Sequence, residues 1–312
     1  MTVVVTNCTN RKRGQVATLL STSSLDRGPI DAVAAQWIDR LRTTPADGIA
    51  KDVYCGRSFR EAEASALALD ASLYIVSAGL GIVESNRRVP IYDLTVASGT
   101  SNAISNKVVG ATTPQSWWSK ISQASPYGYS FLDILAKHQN DLILIALPRP
   151  YLELILAELR QVTPKQRNRL RFFGKNLDKY LPESLASNWM PYDDRLDYAG
   201  NGYSGTQTDL AQRALRHFVN EIVFTARTNS SVATHRSLVV ASLVGLKKRK
   251  IPLRTKLDDE GVGAAVRDNW IRGKGQSSTL LRILRRELGI ACEQSRFQTI
   301  YHSVKRTLEA AK

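Results

Sequence analysis

Short apolar runs rich in β-branched residues recur through the first two thirds of the chain. They fall at residues 3–5, 73–76, 142–147 and 170–173 and predict buried strands. Segments with apolar positions at helical spacing separate them, at residues 32–41, 58–69, 151–159 and 210–224. Because strands alternate with helices, the pattern predicts an α/β domain with a mostly parallel sheet flanked by helices.

The alternation stops near residue 225, where a polar segment without a clear apolar period begins. We therefore expect an α/β domain over residues 1–225 and a second domain over residues 226–312. The second domain is predicted to be small and helical, since residues 278–288 and 293–309 favour helices and Gly289 opens the turn between them. This arrangement is typical of helix-turn-helix modules, and also of any packed pair of helices.

The second domain also carries most of the net charge. The whole chain has 43 Lys and Arg against 28 Asp and Glu, a net charge of +15 at pH 7. Residues 226–312 hold 18 of these basic residues and 7 of the acidic ones, and so contribute +11. An excess of this size favours a polyanionic partner, and nucleic acid is the commonest one.

Apolar runs and cysteines bear on the compartment. No apolar run approaches the roughly 18 residues of a membrane span, and the opening TVVVT is typical of a buried strand rather than a signal peptide. The cysteines, Cys8, Cys55 and Cys292, are scattered and lack the paired spacing of a zinc site. We expect a reduced, cytoplasmic protein that binds no membrane and needs no metal or organic cofactor.

Polar residues follow each of the first three predicted strands. NCTNRKR occupies residues 7–13, SAGLG residues 77–81 with PIYDLT at 90–95, and LPRPY residues 147–151. A fourth segment, YCGR at 54–57, precedes a predicted helix, whose N-terminus could bind an anion. The carboxyl ends of parallel strands meet at one edge of a sheet, so these segments are expected to form a common ligand site.

The chemistry of these segments suits a nucleic acid. Asn7 and Asn10 could read a base edge, and Gly79 and Gly81 would let a substrate approach the backbone. Basic side chains that could hold phosphates are Arg11, Lys12, Arg13 and Arg57. Each feature also has a plainer explanation, because asparagines cap helices and Gly-Leu-Gly often forms only a turn.

Tyr92 and Asp93 are the candidate reacting pair. A carboxylate can stabilise a developing sugar cation and orient a water molecule, and Tyr92 could stack on an aromatic ring. Alternatively, the pair only closes a loop. The sequence has no P-loop, no GxGxxG after the first strand, no HExxH and no zinc-deaminase signature. The four histidines lie outside the candidate loops, which argues against a histidine-based nucleophile triad.

Two further features leave alternatives open. Trp117 and Trp118 follow a long polar loop and could wedge into a base stack, although a place in the core is favoured. Residues 191–208 are rich in Gly, Tyr and Asp and could form a lid with a second carboxylate (Asp193, Asp194 or Asp197). They could equally form a surface loop.

Three pieces of sequence together resemble one family. They are NCTNRKR after the first predicted strand, YCGRSF before a helix, and LYIVSAGLGIVESNRRVPIYDLT. The combination is similar to the SAxxGL…PYDLT signature of small α/β proteins that include the peroxide-stress YaaA proteins and domains attached to tRNA-guanine transglycosylase-like enzymes. The resemblance covers residues 1–180, and PxYDLT is its most specific part. The matching residues are Asn7, Arg11, Gly56, Arg57, Ser77, Gly79, Gly81, Tyr92 and Asp93.

The resemblance implies a fold like that of uracil-DNA glycosylases. Among the members, bacterial anti-phage DNA glycosylases that remove glucosylated hydroxymethylcytosine fit best. The His-Ser-Pro and Gly-x-Asp-Pro-Tyr motifs of typical uracil-DNA glycosylases are missing, and Pro150-Tyr151 only faintly resembles the second. The resemblance therefore transfers the fold better than it transfers catalytic residues.

The leading hypothesis is a DNA N-glycosylase that flips a modified base out of double-stranded DNA, with phage DNA as the expected source, and leaves an abasic site. Its expected catalytic residues are Asp93, Tyr92 and Asn7. The expected substrate and DNA contacts are Cys8, Asn10, Arg11, Arg13, Gly56, Arg57, Ser77, Gly79, Gly81, Arg149, Lys247, Lys248, Arg249 and Arg296. A tRNA base-modifying transglycosylase-like enzyme and a non-enzymatic DNA-binding regulator remain as alternatives.

Overall fold

The computed structural model describes residues 1–97, 99–200, 202–223, 225, 230–248 and 253–310. The chain divides into two units, Met1–Lys248 and Arg249–Lys312. The first unit thus continues beyond residue 225, where the sequence led us to expect the boundary. Among the described helices, none combines the length and the apolar character needed to cross a bilayer.

A five-stranded sheet forms the centre of the first unit. The strands of the chain are β1 (Thr2–Asn7), β2 (Gly48–Ile49), β3 (Ser72–Ser77), β4 (Gly81–Glu84), β5 (Arg88–Val89), β6 (Leu142–Ala146), β7 (Leu170–Phe173), β8 (Thr255–Lys256) and β9 (Ile290–Ala291). The central sheet has the order β4-β3-β1-β6-β7, and only β4 runs antiparallel to its neighbour. Separately, β2 pairs with β5 and β8 with β9. The predicted mostly parallel sheet is confirmed.

Helices connect the strands and cover the sheet. Those of the first unit are α1 (Ile30–Thr43), α2 (Ala50–Val53), α3 (Arg57–Ala68), α4 (Pro114–Ala124), α5 (Phe131–Lys137), α6 (Arg149–Leu154), α7 (Leu156–Leu159), α8 (Pro164–Arg167), α9 (Leu210–His217) and α10 (Val232–Ser242). A π-helical turn, Phe218–Val223, continues α9. Short 3-10 segments lie at Thr18–Leu20, Thr22–Ser24, Ile104–Asn106, Leu177–Lys179, Glu183–Asn188, Asp194–Tyr198 and Gln207–Asp209.

Both faces of the sheet are buried, as a parallel sheet requires. Val4 of β1 belongs to the core that α1, α3 and α9 cover, and its neighbours Val3 and Val5 belong to the core that α5, α6 and α7 cover. Trp117 and Trp118 of α4 divide between the same two cores and are 0% and 2% exposed. The tryptophan pair is therefore structural, and no base can stack on it in this conformation.

Helix α10 belongs to the first unit because it packs into the same core. Val239 and Leu243 are fully buried there. Arg171 of β7 is 1% exposed and donates hydrogen bonds to Nδ1 of His235 at 2.9 Å and to the carbonyl of Ser230 at 2.8 Å. A buried guanidinium needs such acceptors, so these bonds join residues beyond 225 to the sheet. Polar residues that suggested a linker, such as Ser230 and His235, instead accept these hydrogen bonds from Arg171.

The second unit is helical around a small apolar core of its own. Its helices are α11 (Asp259–Asp268), α12 (Ser277–Arg282, continued by the π-helical turn Ile283–Glu287) and α13 (Gln294–Ala310). Val262, Leu284 and Phe297 from the three helices are fully buried together. The last two helices lie where the sequence predicts them. Two glycines inside α11 weaken its helical propensity, so the sequence did not single it out.

Candidate active site at the carboxyl edge of the sheet

The loops that follow β1, β3 and β6 meet at the carboxyl edge of the parallel strands. Cys8, after β1, has its Sγ 3.3 Å from the hydroxyl of Tyr151 in α6. Ser77, at the end of β3, has its Oγ 2.6 Å from the hydroxyl of Tyr92. The segment before α3 joins them, because the hydroxyl of Tyr54 lies 3.2 Å from that of Tyr92 and the N–H of Cys55 donates to Oγ1 of Thr9 at 3.2 Å. The predicted convergence of the four segments is confirmed.

Asp93 is held in place through its backbone and its side chain. Its N–H donates to the carbonyl of Leu20 at 2.8 Å, and its own carbonyl accepts from the hydroxyl of Thr22 at 2.8 Å. The amide of Asn102 donates to Oδ1 of Asp93 and, at 2.7 Å, to Oδ1 of Asn10. Asp93 is half-buried, and its Oδ2 accepts no hydrogen bond within the described part of the chain. One carboxylate oxygen is therefore fixed, and the other is available.

Lys12 places a cation at the same edge. Its Nζ lies 4.2 Å from the centre of the Tyr92 ring and, as far as the chain is described, makes no ion pair and no hydrogen bond. Burial lowers the pKa of Lys12, and the neighbouring Cys8, Asp93 and Cys55 oppose that shift. Withdrawal from water disfavours the charged form of an amine, and this desolvation lowers the pKa.

Tyr92 forms the floor of the site rather than a surface for stacking. Its ring is 0% exposed and packs edge-on against Trp37, with ring centres 6.1 Å apart. Burial raises the pKa of Tyr92 well above its ordinary value, so its hydroxyl stays neutral. The expected stacking of Tyr92 on a base does not fit, because no part of its ring is accessible. Ser77 and Cys8, at 0% and 2% exposure, belong to the same floor.

The glycines of the loop after β3 make room for protein atoms. A Cβ at Gly79 would lie 2.8 Å from Cε2 of Tyr92 and 3.1 Å from Cζ2 of Trp37. Gly81 has φ of +83°, and a Cβ there would lie 3.1 Å from the Cα of Gly128. The prediction that these glycines admit a substrate is therefore wrong for this conformation. Gly56, which precedes α3 with φ of +106°, has open space around it.

Asn7 is committed to hydrogen bonds inside the protein. Its Nδ2 donates to the carbonyl of Cys8 at 2.7 Å, and its Oδ1 accepts from Nε2 of Gln212 at 2.8 Å. Gln212 of α9, 0% exposed, also donates to Oγ1 of Thr6 at 3.2 Å and to the carbonyl of Ala146 at 3.0 Å. Asn7 thus helps Gln212 to order the ends of β1 and β6. The proposed reading of a base by Asn7 would have to compete with these bonds.

Asn102 and Gln212 are the residues at this edge that sequence reasoning missed. Asn102 lies in a polar loop without a motif, and Gln212 lies within an amphipathic helix. Each acts through partners that are distant along the chain. In the helical pattern of α9 the sequence shows that Gln212 is polar. It does not show whether that position is buried or exposed, so it gave no usable signal.

The basic residues expected to contact phosphates fall into two groups. Arg11 and Arg13, near the site, and Lys247 and Lys248, at the end of the first unit, are exposed. In the described part of the chain their side chains make no ion pair. These four are available to an anion. Arg249 lies outside the described residues.

The remaining three arginines are already paired. Nε of Arg57 lies 3.2 Å from Oε1 of Glu61, and Arg57 also donates to the carbonyl of Gly202 at 2.8 Å. Arg149 and Glu153 lie 2.7 Å apart, and Arg296 and Asp259 lie 2.6 Å apart. A phosphate would have to compete with these carboxylates, so each of the three arginines is a weaker candidate than Arg11, Arg13, Lys247 and Lys248.

The acidic segment at residues 191–208 is fixed to the fold. Arg213 of α9 is 1% exposed and pairs with Asp197 at 2.8 Å and with Asp209 at 2.7 Å. Asp193 lies 2.9 Å from Arg195, and Asp194 accepts from Gln207 at 2.7 Å. Its carboxylates therefore have structural partners, and these contacts favour a fixed surface loop over a lid.

A basic depression lies in the second unit. Its cavity of 460 Å³ is lined by Arg254, Lys256, Arg285 and Arg296, together with Glu293 and apolar neighbours. A separate cavity of 530 Å³ lies beside α3 in the first unit and does not include Asp93 or Lys12. No group of three or more His, Cys, Asp and Glu residues among those the structure describes is placed to hold a metal ion.

Comparison of the chain with models of protein families, with curated proteins and with solved structures finds no match. The likeness to the SAxxGL…PYDLT family therefore rests on the sequence motifs alone. The chemistry of this edge has to be derived from its own residues, among which Asp93 has one carboxylate oxygen held by Asn102 and Lys12 lies over the ring of Tyr92.

Proposed function

We propose that the protein is a DNA N-glycosylase that cleaves the N-glycosidic bond of a modified base at this edge of the sheet. The observation that carries the proposal is Asp93, a half-buried carboxylate with one oxygen fixed by Asn102 and the other available. Cleavage of this bond develops positive charge on the sugar, and a fixed carboxylate stabilises such charge without having to reorganise.

The same carboxylate can direct the water that completes the reaction. With Oδ1 of Asp93 held by Asn102, Oδ2 can accept a hydrogen bond from a water molecule and orient it towards C1′ of the sugar. The water oxygen bonds to C1′, the base leaves with the electrons of the N-glycosidic bond, and a proton passes to the base. The product is an abasic site, and the reaction needs no oxidant or reductant.

Positive charge around the site supports a nucleic-acid substrate. Arg11 and Arg13 are exposed on the segment that also contains Lys12, so they could hold phosphates on either side of the reacting nucleotide. The net charge of +15 and the depression lined by Arg254 and Lys256 in the second unit add further affinity for a polyanion.

The base must leave the duplex to react, because its glycosidic bond is otherwise shielded in the stack. The sequence resemblance favours a modified base of phage DNA, with glucosylated hydroxymethylcytosine as the first candidate. Since Tyr92 is buried, recognition of the flipped base falls to exposed groups such as Asn10, whose Oδ1 is already held by Asn102.

The test is a count of abasic sites on a panel of duplexes. The purified full-length protein is incubated with DNA that contains cytosine, hydroxymethylcytosine, glucosylated hydroxymethylcytosine or uracil, and an aldehyde-reactive probe reports lesions. We expect lesions in one modified DNA and none in the cytosine duplex. Tight binding without lesions on any duplex would contradict the proposal. Preferential binding of folded tRNA in competition would favour the RNA-modifying alternative.

A further inference from the structure

Lys12 is the reactive group that the glycosylase step leaves unused. Arg57 and Arg149, at the same edge, lie within 3.2 Å and 2.7 Å of a glutamate carboxylate. The ammonium of Lys12 has no carboxylate or hydrogen-bond acceptor among the described residues and rests on the ring of Tyr92. A cation that only neutralises structural charge would be expected to pair in the same way as the two arginines.

The position of Lys12 is set by a rigid support. Lys12 forms an isolated β-bridge with Tyr54, which holds its backbone against the segment before α3. The ring below its Nζ is fixed by Trp37 on one edge and by the hydroxyls of Ser77 and Tyr54. The amine is therefore presented at a defined point beside Asp93, as a nucleophile requires.

Partial burial also favours the neutral form of this amine. It lowers the pKa of Lys12, although Cys8, Asp93 and Cys55 oppose the shift. Only a deprotonated amine attacks a carbonyl carbon, and a desolvated lysine supplies more of it near neutral pH. The same residue on an open surface would be almost wholly protonated.

We propose that Lys12 is the nucleophile of a second activity, an abasic-site lyase step in which its amine forms a Schiff base with C1′ of a ring-opened deoxyribose. The substrate class is the aldehyde form of an abasic site in duplex DNA. The proposal rests on the proposed function in one respect, since base excision at this edge generates that aldehyde beside Lys12.

The step balances without a cofactor. The Nζ lone pair bonds to C1′, the carbonyl electrons move to oxygen, and loss of water gives a protonated imine. Removal of a C2′ proton then breaks the C3′–O bond, and the phosphate leaves with the electron pair. Asp93, whose charge acts on Lys12, is the candidate acceptor of that proton. Hydrolysis of the imine by water restores the amine and releases a DNA strand whose 3′ end carries the unsaturated aldehyde.

Borohydride trapping on preformed abasic DNA tests the proposal. The full-length protein is mixed with a duplex whose single uracil has been excised in advance, and sodium borohydride reduces any imine to a stable amine. We expect a covalent protein–DNA adduct that mass spectrometry locates at Lys12. We also expect strand cleavage on the 3′ side of the abasic site when borohydride is omitted.

Two variants make the test specific. Lys12→Arg keeps a cation that can rest on Tyr92 but forms no imine, so adduct yield should fall by at least about tenfold while urea unfolding stays near that of the wild type. Lys51→Arg, at an exposed lysine of α2, should leave the yield unchanged. Equal trapping by Lys12→Arg, an adduct at another residue, or no adduct with wild type would overturn the proposal.

The preformed site separates this proposal from the glycosylase proposal. Trapping at Lys12 on abasic DNA, without base release from any modified duplex, would keep the lyase chemistry and remove the glycosylase. Base release without trapping would keep the glycosylase proposal and remove the lyase proposal.

Discussion

Replacing Gly79 by Ala should damage the site through Tyr92. The new Cβ would lie 2.8 Å and 2.9 Å from two ring carbons of Tyr92 and 3.1 Å from Cζ2 of Trp37, so the ring must retreat to at least the 3.4 Å of an ordinary contact. The ring cannot retreat freely, because its hydroxyl is bonded to Ser77 and Tyr54 and Trp37 packs on its edge.

The expected size of the effect follows from this geometry. Overpacking a close-packed site costs about 1–3 kcal/mol of unfolding free energy. A shift of the Tyr92 ring also moves Lys12, which rests on it, and changes the loop that holds Asp93. Because a misplacement of ~1 Å can slow a reaction by ~100-fold, a shift of about half that size should slow base release by roughly tenfold.

Gly28→Ala is the matched control for this substitution. A Cβ at Gly28 meets its nearest atom, Cβ of Ala32, at an ordinary 3.9 Å, and neither Gly28 nor Gly79 has a positive φ. Urea unfolding followed by tryptophan fluorescence should place Gly28→Ala within about 0.5 kcal/mol of wild type. If Gly79→Ala matched it in both stability and base release, the assignment of Tyr92 as the rigid floor would be refuted.

Two other predictions concern the first unit. Arg213→Leu removes the guanidinium from the buried carboxylate of Asp209 and should lower the unfolding free energy by about 3–5 kcal/mol, whereas Arg42→Leu, at an exposed pair of the same unit, should change it by less than about 1 kcal/mol in the same urea titration. Burial lowers the pKa of His217 below its ordinary 6.5, against the charge of Glu221. The unfolded chain then binds a proton that the folded chain does not, so stability should fall as pH drops below 6.5. His217→Gln should flatten that slope; an unchanged slope would assign the acid sensitivity to another group.

The sheet could be predicted because burial on both faces leaves a continuous apolar run. Val3, Val4 and Val5 show this directly, since they divide between two cores and none of them needs to be polar. The convergence of the loops follows from parallel strands sharing a carboxyl edge. The domain boundary was missed because the hydrogen bonds of Arg171 to residues beyond 225 leave no local signal.

The sequence predicted where the site lies in the fold, but it predicted the roles of individual site residues less well. The sequence places Tyr92 and Asp93 side by side, yet one is fully buried and the other is half-buried, because alternate residues of an extended segment point to opposite sides. Lys12 stood among three basic residues and looked like a phosphate contact. Only the fold shows that it rests on Tyr92, whereas its two arginine neighbours in the sequence are exposed.

Base release by Asp93→Asn tests the central claim most directly. The substitution keeps the shape of the side chain and an oxygen that can accept from Asn102, but removes the charge that stabilises the sugar cation. Asp39→Asn, whose side chain is 73% exposed on α1, is the control. We expect Asp93→Asn to bind the modified duplex with near wild-type affinity and to release its base on the order of 100-fold more slowly. Release at the wild-type rate would contradict the account, because Asp93 would then have no part in the reaction.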